Sequence, residues 1–250
     1  MFCKVKYNIN TSGETMNAFL AMILTFGAAI GWLRLMDFFA HRGWIESRLS
    51  RKIIHIGTGP IFVLCWLLFP DVWYARWLAA LIPLSITLQF ALIGLGIMKD
   101  EASVKAMSRS GDPAEILRGP LYYGVMFVLL TVVFWKDSPV GMIALMMMCG
   151  GDGIADVIGR RFRSPSLFHS PNKSIAGSIG VFLGGWVMSM FILSVYTTLG
   201  VFSSALGTYL LPVTVIALAS TVIESLPQKD IDNVTVTLAT AVLGYFLLVM

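Results

Sequence analysis

Two aspartates four residues apart, Asp152 and Asp156, interrupt an apolar stretch in the run Cys149-Gly-Gly-Asp-Gly-Ile-Ala-Asp-Val-Ile-Gly-Arg160. On a helix this spacing puts both carboxylates on one face. There they can converge on one divalent cation, and Mg²⁺ suits the arrangement because it takes one or two carboxylates and completes its shell with phosphate and water. An aspartate at the centre of a membrane helix costs roughly 2.5–3.5 kcal/mol on insertion scales, so two of them need a reason. Gly150, Gly151, Gly153 and Gly159 strip side-chain bulk from the same stretch, letting a ligand or another backbone come close. The competing explanation pairs the aspartates with basic residues of a neighbouring helix and makes the glycines a packing face.

A second group is Asn172-Lys173-Ser174, followed by Gly177 and a long apolar run. The first amides of a helix lack internal partners and carry partial positive charge, which suits a phosphate. Lys173 would add a full charge, although a lysine at a membrane boundary also serves as a snorkelling anchor. Arg160, Arg161 and Arg163 can reach polyphosphate or simply set topology. Arg51, Lys52 and His55 form a third group, with Arg51 and His55 one helical turn apart; a histidine in an apolar run can equally be a packing residue. The fourth comprises Glu224, Asp232 and Asn233, which are helix caps or ligands of metal or substrate.

These residues must be held by membrane helices. The 250-residue chain is 57% hydrophobic and 13% charged, with a mean hydropathy of +0.80. A soluble domain carries roughly 25% charged residues, so lipid is the solvent the composition implies. The net charge of +4 is spread over separate short loops, which argues against a nucleic-acid partner. Cys3, Cys65 and Cys149 lack metal-type spacing and read as small hydrophobes rather than a disulfide framework.

A span needs about 20 apolar residues. Residues 15–33, 53–70, 77–98, 119–135, 138–159 and 233–250 qualify, and residues 174–223 carry no charge at all. One helix of that last length would run about 75 Å, so it must fold back around Gly200–Gly207. The first span meets Arg34 without a small-residue cleavage pattern, unlike a signal peptide. The expectation is an all-α, polytopic integral membrane protein of about eight transmembrane helices, forming a single domain over 1–250. Lys and Arg number five in 34–52, one in 71–76, four in 99–118, one in 136–137, four in 160–173, none in 200–207 and one in 224–232. Positive loops stay cytoplasmic, which puts the odd-numbered connections inside and both termini outside. The chemistry-bearing residues then gather at the cytoplasmic ends of the helices.

Gly151-Asp-Gly-Ile-Ala-Asp-Val-Ile-Gly-Arg-Arg-Phe162 followed by Asn172-Lys-Ser-Ile-Ala-Gly177 resembles the CTP-dependent polyprenol kinases, closest to the phytol and farnesol kinases. Arg51-Lys52-x-x-His55, Leu117-Arg-Gly-Pro-Leu-Tyr-Tyr123, Glu224 and Asp232-Asn233 extend the resemblance over about residues 48–250. Where the dolichol branch has a glycine and a lysine this chain has Arg163 and Ser166, and Ala176 replaces the acidic residue before Gly177, which favours the phytol branch. The resemblance implies transfer of the CTP γ-phosphate to a long isoprenoid alcohol drawn from the bilayer. It implies Mg²⁺ on Asp152 and Asp156, with Asp232 a further candidate ligand. It places Lys173, Asn172, Ser174, Gly177, Gly151, Gly153, Gly159, Arg51 and Lys52 around the nucleotide, and leaves His55 and Glu224 as candidates to orient or deprotonate the alcohol. The lack of a transit-like leader fits a prokaryotic plasma or thylakoid membrane. A cytidylyltransferase acting on a lipid phosphate, and an ion-coupled transporter, are the other readings these residues leave open.

Overall fold

The computed structural model describes residues 16–108, 110–227 and 231–250. Cys3, Lys4 and Lys6, and the loop charges Arg109 and Lys229, lie outside the described residues. In chain order the helices are α1 (Ala18–His41), α2 (Ser47–Cys65), α3 (Ala75–Gly94), α4 (Glu101–Met107), α5 (Gly119–Val133), α6 (Pro139–Met146), α7 (Gly153–Arg161), α8 (Ile175–Thr198), α9 (Leu210–Ser225) and α10 (Asp232–Leu248). Between α6 and α7 the chain stays helical through a π-type segment, Met147–Asp152, giving one rod over Pro139–Arg161. The only strands among the described residues are β1 (Ser166–Leu167) and β2 (Ser170–Ser174), an antiparallel hairpin between α7 and α8.

Seven of these rods are long and apolar enough to cross a bilayer, and α10, at 17 residues, is a shorter apolar eighth. The protein is an all-α polytopic membrane protein. Large apolar residues such as Phe19, Ile23, Leu88, Phe191 and Leu211 are exposed along the outer surfaces, a coat no water-facing monomer carries at this extent. The charge-free stretch folds back as expected: α8 ends at Thr198, Gly200 takes a positive φ of 71°, and α9 begins after a turn at Leu206–Tyr209. One boundary differs. The sequence places Arg34 in the first loop, but α1 continues to His41. Alanine, leucine, methionine and arginine sustain a helix past the hydrocarbon edge, so the loop shrinks to the residues around Gly43.

The rod Pro139–Arg161 is the axis of the molecule, with 72% of its most apolar window buried against 17% for α1. Helices α2, α5, α8 and α10 touch it directly and α9 reaches its π segment from between α8 and α10, while α1 and α3 pack outside α2 and α5. Association inside lipid depends on close packing of small residues. The contact of the axis with α8 shows why: a Cβ on Gly184 would lie 2.5 Å from the Gly150 carbonyl oxygen, and one on Gly180 would lie 3.0 Å from Ala155 Cα.

Candidate active site at the inner ends of five helices

The first turns of α2 carry Lys52 and His55, three residues apart and so on neighbouring positions of one face. That face meets the axis where the π segment ends, at Asp152. Asp152 Oδ2 lies 3.6 Å from Lys52 Nζ and 3.3 Å from His55 Nε2. The same imidazole nitrogen is 3.3 Å from the carbonyl of Met148, inside the π segment. Both neighbours of Nε2 are acceptors, so that nitrogen carries the proton, leaving Nδ1 as the basic atom of the neutral ring. Tyr123 of α5 stacks against His55 with ring centroids 4.5 Å apart. Its hydroxyl donates to the His55 carbonyl at 2.9 Å and meets Cys149 Sγ at 3.1 Å. Single π-type turns inside α-helices are frequent at functional sites.

The far side of Asp152 is closed by α8, α9 and α10. The hairpin β1–β2 delivers Lys173, whose ammonium pairs with the Glu224 carboxylate and donates to the Glu224 carbonyl at 2.5 Å. His169 Nε2, on the same hairpin, lies 3.1 Å from Ser225 Oγ and fastens the hairpin to the end of α9. The charges of Lys52 and Lys173 both act on Asp152, and Asp152 and Asp232 act on Glu224. Asp232 opens α10, and beside it Asn233 Oδ1 is buried with no hydrogen-bond partner among the described residues.

A cavity of about 450 Å³ begins at this cluster and runs between α1, α2, α3 and α5, within the range of small-molecule sites. Arg51, Lys52, His55, Arg118, Asp152 and Asp232 line its polar mouth. Deeper in, Ile61, Phe62, Ile82, Ile86, Phe90 and Phe127 make it apolar. Three threonines also line it, and each turns its hydroxyl back to its own helix: Thr25 to Ala21, Thr58 to Ile54 and Thr87 to Pro83, at 2.6–2.7 Å. With the hydroxyls so satisfied, the wall they present is methyl.

The sequence-predicted residues divide. Lys52, His55, Asp152 and Asp232 meet at the mouth, with Arg51 at its edge donating to the Ser108 carbonyl at 2.8 Å. Lys173 and Glu224 stand behind Asp152 as a pair. Asp156 does not line the cavity; its Oδ1 takes Arg160 Nε at 2.7 Å. Asn172 is exposed on β2. The α8 amides expected to hold phosphate are already used: the Ile175 N–H donates to the Pro165 carbonyl, Ala176 N–H to Ser164 Oγ and Gly177 N–H to Ser174 Oγ. Ser174 is thus the N-cap of α8, and a cap needs no ligand. The glycines are helix contacts rather than ligand clearance. Gly151 abuts Val181, Gly153 abuts Ile56 and His55, and Gly159 and Gly177 face each other. Sequence reasoning missed Tyr123 as a partner of His55, and the whole of the cavity wall on α1 and α3, where apolar residues carry no chemical mark.

Asp152, Asp232 and the orphaned Asn233 Oδ1 at one mouth are hard oxygen donors, the set that Mg²⁺ takes. Among the described residues no cluster of three or more His, Cys, Asp or Glu forms a ready cage. The donor set therefore fits a cation brought in on phosphate better than one held by protein alone.

A polar, ion-rich cluster facing water at one end and an apolar cavity at the other define a membrane enzyme acting on an amphiphile. No family model and no solved structure matches the chain. Curated relatives do. A probable phytol kinase 1 of Oryza sativa subsp. japonica is 41% identical over 229 residues, covering 91% of this chain and 73% of that protein. Phytol kinase 1 of Arabidopsis thaliana is 40% identical over 227 residues, covering 90% and 75%. Farnesol kinase of the same plant is 37% identical over 237 residues, covering 92% and 77%. All three carry the description chloroplastic. The chain belongs to the phytol and farnesol kinase family, and is a phosphotransferase with an alcohol acceptor.

Proposed function

We propose that the protein transfers the γ-phosphate of CTP to the hydroxyl of an isoprenoid alcohol of the phytol and farnesol class, releasing CDP and a prenyl monophosphate at the cytoplasmic face. The observation that carries this reading is the continuity of Lys52, His55, Asp152 and Asp232 with an apolar cavity inside the bilayer. The alcohol partitions into lipid and the nucleotide into water, and only a boundary site receives both. The choice of CTP over ATP rests on the family resemblance.

In this reading the tail lies in the cavity with its hydroxyl at the mouth. Phosphoryl transfer is mostly positioning and charge compensation. Arg51, Lys52 and Arg118 supply positive charge to the triphosphate, and Asp152 with Asp232 and Asn233 hold its Mg²⁺. A cation held by these oxygens would supply compensating charge to the phosphates. His55 Nδ1 accepts the alcohol proton while the oxygen bonds to phosphorus, and Asp152 on Nε2–H holds the ring in that tautomer. Tyr123 fixes the ring plane by stacking. Asp156 with Arg160 lies one turn nearer the surface and is assigned the outer side of the nucleotide.

Purified protein incubated with γ-labelled CTP or ATP and with phytol, farnesol, geranylgeraniol or dolichol tests this. Label should pass from CTP to a prenol. Asp152→Asn should cut transfer by roughly a hundredfold or more, the scale for losing one placed electrostatic group. Asp156→Asn should mainly raise KM for the nucleotide. Release of pyrophosphate instead of CDP, or full activity in Asp152→Asn, overturns the reading.

A further inference from the structure

At the end of the cavity furthest along the helices from the polar mouth, four helices each contribute a lining side chain at about one level: Thr25 of α1, Phe62 of α2, Ile82 of α3 and Phe127 of α5. All four are buried, with Phe62 and Phe127 at 5% and 3% exposure. The alternation of helix directions accounts for the shared level, because α1 and α3 run inward where α2 and α5 run outward. The two phenylalanine rings meet at a tilt of 53° with centroids 5.6 Å apart. Behind Phe62 lies the fully buried Trp66 at 5.8 Å, backed in turn by Trp135 at 5.0 Å. Towards the mouth, Phe127 continues to Tyr123 at 4.8 Å and Tyr123 to His55. An aromatic column thus joins His55 to a floor that is backed by indoles.

We infer that Phe62 and Phe127 are the chain-length gauge of this enzyme, a floor that the end of the prenyl tail meets and that selects tails of about three isoprene units. The inference rests on the prenol kinase reading above. From Lys52 to Phe62 is about 15 Å of helix rise, and from His55 to Phe62 about 10 Å. A zigzag carbon chain with bonds of ~1.5 Å advances ~1.3 Å per carbon, so this depth holds ~8–12 main-chain carbons, up to a farnesyl tail. The fourth unit of a phytyl or geranylgeranyl tail must bend or leave sideways between helices, so the gauge narrows the phytol and farnesol class of the proposed function to its farnesol side, and a dolichol-length tail does not fit behind the hydroxyl at all. The methyl faces of Thr25 and Thr87 keep the shaft apolar, so tail length and girth are all it reads.

The test compares kcat/KM for farnesol and geranylgeraniol with the full chain in nanodiscs. The wild-type protein should favour farnesol. Phe127→Ala and Phe62→Ala should each move the ratio towards geranylgeraniol by about tenfold, the scale of discrimination by an apolar pocket. Ala29→Leu, which narrows the shaft from α1, should move it towards shorter alcohols. An unchanged ratio in these variants overturns the gauge. Phe127→Leu and Phe62→Leu keep most of the packing and should shift the ratio in the same direction, which covers the case where the alanine variants do not fold. A farnesol analogue with a diazirine at its tail end gives a readout independent of turnover. Labelling at Phe62, Phe127 or Ile82 supports the floor, and labelling confined to lipid-facing residues overturns it. A protein that labels at the floor yet phosphorylates no prenol sinks the reaction and leaves the floor standing; a prenol kinase whose variants keep the wild-type ratio sinks only the floor.

Discussion

Asp152 is the residue on which the cluster turns, since Lys52 and His55 approach it from α2 and the charge of Lys173 reaches it from the other side. Lys173 is the harder assignment, because its ammonium is already paired with Glu224, whose side chain is only 8% exposed. Removing one member of a buried pair strands the other and costs about 3–5 kcal/mol, whereas replacing both with apolar groups is close to neutral. Lys173→Met should therefore lower the thermal midpoint in detergent markedly, and Lys173→Met with Glu224→Leu should restore most of it. Activity separates the roles. If Lys173 helps bind the triphosphate, the double variant regains stability and stays impaired in KM for CTP; if activity returns with stability, the lysine only fastens the hairpin to α9. The residues themselves were legible in the sequence because charges are costly in lipid, and each costly one marked itself. Their partners were not. Nothing local says that Lys173 meets Glu224, fifty-one positions on, whereas the turn of Asp156 to Arg160 is an i,i+4 pair that helical spacing allows.

At the scale of elements, the axis and α8 are joined through glycine, and that contact is open to a direct test. A methyl at Gly184 would press on the Gly150 carbonyl at 2.5 Å and on Ile154 Cβ at 2.9 Å. Neither neighbour can swing aside, so Gly184→Ala should cost about 1–3 kcal/mol as overpacking. Gly207→Ala, where a Cβ would meet open space, is the matched control and should leave thermal unfolding unchanged. Helix α4 offers a pH test outside the membrane. Asp100 caps it through Ser103, accepting from the backbone N–H at 3.0 Å and the hydroxyl at 2.6 Å. The Ser103 hydroxyl, then its amide, holds the Asp100 carboxyl below its ordinary value of 3.8. A depressed carboxylate stabilises fully above that ordinary value and loses the effect as pH falls through the folded one. Hydrogen exchange in residues 101–107 should quicken below about pH 4, and Asp100→Asn should keep a cap while removing the pH dependence. The spans were readable in advance because lipid admits few backbone solutions. The π segment was not, since His55 reaching to the Met148 carbonyl is a tertiary event, and α1 outran its apolar stretch because helix propensity does not stop at the hydrocarbon edge.

The whole molecule is asymmetric across the bilayer, and this asymmetry yields a test of sidedness. The helix ends that build the cluster are the starts of α2, α8 and α10 and the ends of the axis and α9, so they share one face by the alternation of directions. The loops on that face, within 34–52, 99–118 and 160–173, carry most of the Lys and Arg, the charge pattern on which the proposed cytoplasmic placement of that face rests. The opposite face is tied by its own ion pairs, Lys136 with Asp71 at 3.0 Å and Arg76 with Asp137, away from the cavity mouth. Two exposed positions report the two faces: Phe168 at the tip of the β1–β2 hairpin and Ser203 in the turn before α9. In a background with Cys3, Cys65 and Cys149 replaced, Ser203→Cys should react with a membrane-impermeant maleimide in intact cells. Phe168→Cys should react only after permeabilisation or in inverted vesicles. CTP cannot cross a bilayer, so inverted vesicles should phosphorylate an embedded prenol while sealed right-side-out vesicles should not. Labelling of both cysteines from one side would break the alternation itself, because the hairpin and the turn are joined by the single rod of α8 and cannot share a face while that rod spans the membrane.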